Sequence, residues 1–181
     1  RLRLRRRVAQ PGVSPVPEVS PEDLAALLRR AQEHLGHGRL VLAERDYLQA
    51  AQARPAIAEV HFNLGIVRYA QGAFEGAVES HRRALGLKPV FPQALGSLGS
   101  ALAALGRWDE ARAAFERAVE QHPTYADAHS NLGLIHEEQG RAGEARASFE
   151  RALAIDPTHG EAIHNLGFLL DAQGRTPDAI A

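Results

Sequence analysis

Nine histidines, 22 aspartates and glutamates and no cysteine make up the chemically capable side chains of this 181-residue chain. Such a set could ligate a metal or move protons, and spacing decides whether it does. A helical zinc site of the protease type needs two histidines four apart with a glutamate beside the first. His136-Glu137-Glu138-Gln139 supplies the first half and lacks the second histidine. His61 and His129 are 68 residues apart in matching local sequence, which marks a recurring packing or surface position and not a ligand pair. Gly96-Ser97-Leu98-Gly99-Ser100 is glycine-rich but has no lysine to meet a phosphate. No serine, histidine and aspartate arrangement stands out as a nucleophilic centre. Without cysteine there is no thiol chemistry, disulfide or cysteine-ligated zinc. The residues indicate no cofactor, no metal site and no catalytic centre in this segment, so it is read as a non-enzyme. The chemistry left to it is binding.

The elements that would position a binding surface are written in the sequence four times. HFNLGIVRYAQG (61–72), LGSLGSALAALG (95–106), HSNLGLIHEEQG (129–140) and IHNLGFLLDAQG (163–174) are variants of one segment. Gly65, Gly99, Gly133 and Gly167 are 34 residues apart, as are Leu64, Leu98, Leu132 and Leu166. Gly72, Gly106, Gly140 and Gly174 keep the same period. So do Ala77, Ala111, Ala145 and Ala179, then Ala84, Ala118 and Ala152, then Pro89, Pro123 and Pro157. A fixed period of 34 predicts paired helices stacked in a row. In each pair the first helix is predicted to end at the second glycine, which takes the left-handed cap cheaply. The second helix carries Ala145, Phe149, Ala152 and Leu153 on one face and stops before Pro157. Gly133 inside the first helix costs about 1 kcal/mol against alanine. So small a residue predicts close approach by the neighbouring helix, with Phe149 as the large plug.

These spaced residues resemble the tetratricopeptide repeat (TPR) family over residues 24–181. The resemblance implies an all-α fold, a right-handed superhelical solenoid of helix-turn-helix repeats. In its register the repeats are 24–57, 58–91, 92–125, 126–159 and a truncated 160–181. The first is degenerate, with Arg30 in place of the leucine before the small residue. The last lacks most of its second helix, which predicts poor cover for Leu166 and Leu170.

The resemblance further implies a concave groove lined by the first helix of each pair and used to bind an extended peptide or a partner helix. Carried over position by position, the groove residues are Glu59, Phe62, Asn63, Ile66 and Tyr69, then Gln93, Ser97 and Ser100. Asp127, Ser130, Asn131, Leu134, Glu137 and Glu138 follow, then Glu161, His164, Asn165, Phe168 and Asp171. One groove position reads Asn63, Ser97, Asn131, Asn165. Asparagine offers two donors and an acceptor to a peptide backbone. The row resembles the asparagine ladder of O-GlcNAc transferase-type proteins, interrupted by Ser97 and Arg29. The groove is also acidic, with Glu59, Asp127, Glu137, Glu138, Glu161 and Asp171 against Arg29 alone. The lysine and arginine of a chaperone-type carboxylate clamp are missing. The partner expected is therefore a protein or peptide, neutral or basic. Alternatives are a substrate-presenting arm of a larger, O-GlcNAc transferase-like glycosyltransferase, and a scaffold that self-assembles through its terminal repeats.

Outside the repeats, RLRLRRR (1–7) carries five arginines. Removing these from the net charge of −1 leaves −6 on the remainder. This basic arm could touch nucleic acid or anionic lipid, follow a membrane anchor, or form a strand of a preceding domain. Residues 8–23 hold four prolines before the last two acids and read as an extended linker. Ser20-Pro21-Glu22-Asp23 has the cap and first-turn proline of a helix start. An opening arginine and a stop within a repeat are read as a piece of a longer chain. No apolar run approaches the roughly 18 residues of a membrane span, and a soluble, cytoplasmic setting is the one favoured. Trp108 is expected in the core, and Glu79 and Arg83, four apart, are expected to pair on a solvated face.

Overall fold

The computed structural model describes residues 20–172, which form nine α-helices. They are α1 (Pro21–Gly36), α2 (Leu40–Ala53), α3 (Ala58–Ala70), α4 (Phe74–Leu87), α5 (Pro92–Ala104), α6 (Trp108–Gln121), α7 (Ala126–Glu138), α8 (Ala142–Ile155) and α9 (Gly160–Ala172). Helix α1 begins where the sequence signals a start. Pro21 is its first residue, and the Asp23 amide donates to the Ser20 hydroxyl at 3.1 Å. The basic arm and most of the linker lie outside the described residues, as do Gly174 and Ala179.

The turn between the helices of a pair is the same each time. Gly38, Gly72, Gly106 and Gly140 have φ between 69° and 78°. The next amide reaches back five residues, from Arg39 to His34 and from Ala73 to Arg68, at 2.8 and 2.9 Å. Arg107 to Leu102 and Arg141 to His136 repeat the bond. This glycine-closed turn satisfies carbonyls that a helix end leaves bare. It fixes an antiparallel pair, and each pair then packs on the next.

Packing within pairs follows from residue size. Ala43, Ala77, Ala111 and Ala145 are fully buried, as are Ala50, Ala84, Ala118 and Ala152. Between them sits one large plug per pair, in the order Tyr47, His81, Phe115 and Phe149, each 1% exposed or less. In the last three of these pairs the opposing helix receives the plug at a glycine, whereas α1 carries Ala31 at that place. A Cβ on Gly99 would lie 2.7 Å from the Phe115 ring, and one on Gly133 would lie 2.5 Å from the Phe149 ring. The missing side chain is what lets the helices approach.

Three expectations need correction. Leu166 is 9% exposed, because it packs back into a cluster with Ala145, Phe149 and Ala152 of α8. Trp108 is 37% exposed, since the first residue of α6 lies at the rim of its pair and not inside it. Among the described residues, Glu79 and Arg83 form no ion pair. The i,i+4 pairs are Arg112–Glu116 at 2.9 Å and Arg146–Glu150 at 2.7 Å, both on second helices.

The degenerate first pair is compensated in space. Arg30 Nε and Nη2 donate to the Asp46 carboxylate at 2.6 and 3.0 Å, and Arg45 adds a bond at 3.2 Å. The hydrogen bond from Arg30 leads the effects that hold the Asp46 carboxyl below its usual range. The same two places in later pairs hold Leu64 with Ser80 and Leu98 with Ala114. Where α5–α6 places Leu98 and Ala114 in one apolar cluster, the first pair holds an ion pair.

Candidate functional site

First helices form one continuous wall. Helix α3 touches α5, α5 touches α7, and α7 touches α9, each across the second helix that separates them in sequence. Elements that crowd together lie on the inside of a curve, so this wall is the concave one.

At its centre is a cavity of about 360 Å³ lined by Tyr69, Ser97, Ser100, Tyr125, Asp127, Asn131 and Glu161, over a floor of Gly96, Phe115 and Ala128. It draws residues from α3, α5, α7 and α9. Of the groove residues expected from sequence, Tyr69, Ser97, Ser100, Asp127, Asn131 and Glu161 meet here. Ser97 and Asn131 are half-buried. The Asn131 amide donates to the Asp127 carbonyl at 2.8 Å, which leaves its second N–H and its oxygen toward the groove. His159 Nε2 lies 2.9 Å from an Asp127 carboxylate oxygen. No lysine or arginine lines this cavity.

The other expected residues are spread along the wall. Asn63 and Asn165 are half-buried, and Glu137 is half-buried near the end of α7. Glu138, His164 and Phe168 are exposed, Phe168 at 65%. Glu59 is not a free acid. Lys88 Nζ lies 2.9 Å from its carboxylate, and that hydrogen bond holds the Glu59 carboxyl below its ordinary range. Phe62 is committed to packing, its ring 4.8 Å from that of Phe91 and 5.8 Å from that of His81. Ser130 is fully buried and is removed from the groove. His61 and His129 do share a role. Each has Nε2 within reach of a carbonyl six residues earlier, Pro55 at 2.9 Å and Pro123 at 3.1 Å.

Two contributors escaped the sequence reading. Tyr125 lies over Gly96, where a Cβ would come within 2.8 Å of the phenol oxygen. Burial raises the Tyr125 phenol pKa, and the nearby Asp127 charge adds to the rise. The available signal was the aromatic register Phe91–Tyr125, 34 residues apart. His81 is the other. It occupies the plug register of Tyr47, Phe115 and Phe149, and it lines a second cavity of about 210 Å³ with Ile66, Tyr69, Ser97 and Ser100. Among the described residues there is no cluster of three or more side chains able to hold a metal ion. Nor is any described helix long and apolar enough to cross a membrane.

Solved structures with this architecture are numerous. The crystal structure of MamA protein is 25% identical, covering 87% of this chain and 86% of that one with a TM-score of 0.77. PilF of Pseudomonas aeruginosa is 22% identical, covers 84% and 70%, and also has a TM-score of 0.77. YrrB, titled a TPR protein with an unusual peptide-binding site, is 22% identical, covers 88% and 82%, and has a TM-score of 0.70. No curated protein matches the sequence. A family model described as tetratricopeptide repeat matches residues 22–90 and 97–160, and a second of the same description matches 148–181. Neither is a model of a catalytic family. The glycine-capped pairs, the plugs and these matches agree, and the chain belongs to the tetratricopeptide repeat family.

Proposed function

We propose that this chain is a binding module that takes a neutral or basic extended peptide along the concave wall of α3, α5, α7 and α9. The observation that carries the reading is the central cavity. It has two carboxylates, Asp127 and Glu161, no lysine or arginine, and the Ser97 and Asn131 side chains among its walls. Asn131 supplies a donor and an acceptor, which suits a main-chain amide whatever the side chains of the peptide. The carboxylates favour a basic residue nearby and repel an acidic one. The first TPR of Spaghetti (RPAP3), 24% identical with a TM-score of 0.62 over 65% of this chain, is bound to the HSP90 peptide SRMEEVD. That peptide is acidic, and this cavity has no cation to receive it.

The test is fluorescence anisotropy with two labelled probes, SRMEEVD and a version with both glutamates and the aspartate changed to lysine. The basic probe is expected to bind more tightly, and salt is expected to weaken it. Asp127→Asn with Glu161→Gln should reduce that preference about fivefold, as partly exposed ion pairs contribute little each. Equal binding of the two probes, or tighter binding of SRMEEVD, would overturn the charge reading. Failure of both probes and of a mixed-sequence peptide pool would overturn the groove itself.

A further inference from the structure

One linker joins the most basic stretch of this chain to an acidic groove. RLRLRRR (1–7) carries five arginines and no acid, and the rest of the chain carries a net charge of −6. The free acids are not spread evenly along the wall. Helix α1 carries the exposed Arg29 at its groove position, and Glu59 of α3 is tied to Lys88. Helix α5 offers only the uncharged Gln93, Ser97 and Ser100. Among the described groove residues, Asp127 of α7 and Glu161 of α9 have no lysine or arginine partner. The negative charge open to a cation therefore gathers around the central cavity.

Topology brings the linker in on the same edge. The helices of each pair are antiparallel, so α1, α3, α5, α7 and α9 run in one direction. Helix α1 starts at Pro21 on the edge where α7 and α9 also start. Asp127 is the second residue of α7 and Glu161 the second of α9, so both carboxylates lie along that edge. Packed helices lie about 8–10 Å apart, and the three steps from α1 to α7 span about 30 Å. The proline-rich residues 8–20, extended at about 3.1 Å each, reach about 40 Å. Resting on the groove reading above, we propose that residues 1–7 occupy the groove of their own chain, their arginines set against Asp127 and Glu161. An outside basic peptide must then displace them. The tether holds the arm near the acids at a millimolar effective concentration. Each partly exposed ion pair is weak and screened by salt, so the arm yields to a better ligand.

The experiment titrates the labelled, lysine-substituted SRMEEVD probe against four full-length chains. They are the wild type, an arm variant with Arg1, Arg3, Arg5, Arg6 and Arg7→Gln, a groove variant with Asp127→Asn and Glu161→Gln, and the two combined. Circular dichroism checks that all four are equally helical. The arm variant is expected to bind the probe about tenfold more tightly than the wild type, because the tethered competitor is gone. That gain is expected to vanish in the groove background. A gain that persists there comes from net charge alone and overturns the proposal. Equal binding by wild type and arm variant also overturns it and leaves the groove reading standing. A probe that fails to bind even the arm variant removes the groove reading and the occupant with it. Placement is read separately from the distance between two spin labels. The sequence has no cysteine, so labels attach only at Leu4→Cys and Gln93→Cys. A narrow distance distribution is expected at low salt, and it should broaden in the groove variant. A broad distribution in both overturns the proposal. A narrow one that disappears on dilution with unlabelled chain puts the arm in a second copy and overturns the assignment to its own chain.

Discussion

Helix pairs α3–α4 and α7–α8 share a period, a glycine turn and a plug received at glycine, yet they bury different chemistry. In α7–α8 the plug is Phe149, and the odd group is the buried hydroxyl of Ser130 at the place where α3 carries Phe62. In α3–α4 the plug itself is polar, and Phe62 and Phe91 stack beside it. The apolar core divides at both pairs. One cluster ends on α3 with Val60, Leu64 and Val67, and the next begins on α4 with Ala77 and Val78. That second cluster ends on α7 with Ile135, and a third begins on α8 with Ala145. The backbone repeat therefore tolerates local exceptions, because each pair needs only its neighbours to bury its faces.

The contrast is broken most severely by removing the plugs. Phe149→Ala should cost about 4 kcal/mol, the range of a large aromatic lost from a packed core. His81→Ala should cost only about 1–2 kcal/mol, since it also removes an unpaired polar group. Urea unfolding followed by circular dichroism measures both. Equal losses would show that the two plugs contribute alike and that the polarity of His81 is of no consequence.

Acid should separate the pairs next. The folded pKa of His81 is depressed to about 4 from 6.5, so the unfolded chain takes up the proton first as pH falls. Stability tied to the neutral ring is complete above about pH 6.5 and is lost on the way down to about pH 4. The loss is of order 3 kcal/mol. Carboxylates and the other histidines titrate in both proteins, so the informative quantity is wild type minus His81→Phe. A difference that stays flat from pH 7 to pH 4 would mean the ring is not buried neutral.

The first pair provides a smaller and sharper comparison. Asp46→Ala should destabilise by about 2 kcal/mol through loss of its charged hydrogen bonds. Adding Arg30→Leu should return the protein to within about 0.5 kcal/mol of the wild type, because an apolar contact can replace an ion pair. That double variant places at these positions the residue types of Leu98 and Ala114, which share one buried apolar cluster. If the second substitution rescues nothing, the exchange of ion pair for apolar contact is not the reason Arg30 is tolerated.

Much of this architecture was legible in the chain because a local rule wrote it. The 34-residue period, glycine after each first helix and alanines at fixed places each act within a few residues, so their spacing alone predicts pairs, turns and buried faces. The groove was legible only as a stripe of positions. Asn131, Asp127, Ser97, Glu161 and Tyr69 share a cavity, whereas Glu59 is tied to Lys88 and Ser130 is sealed away. Those outcomes depend on partners about thirty residues distant, which spacing within one repeat does not encode. Lys88 and Glu59 are 29 apart, and Tyr125 closes over Gly96 from the same distance.

The sequence by itself determined the period, the turns and the small residues that let helices approach, since these follow from backbone conformation and side-chain volume. Tertiary structure alone decided which carboxylates stay free and which ring covers which glycine. It also left the buried His81 imidazole with no hydrogen-bonding partner among the described residues. Side-chain environment is set where helices from successive pairs meet, and that meeting exists only after the pairs have stacked.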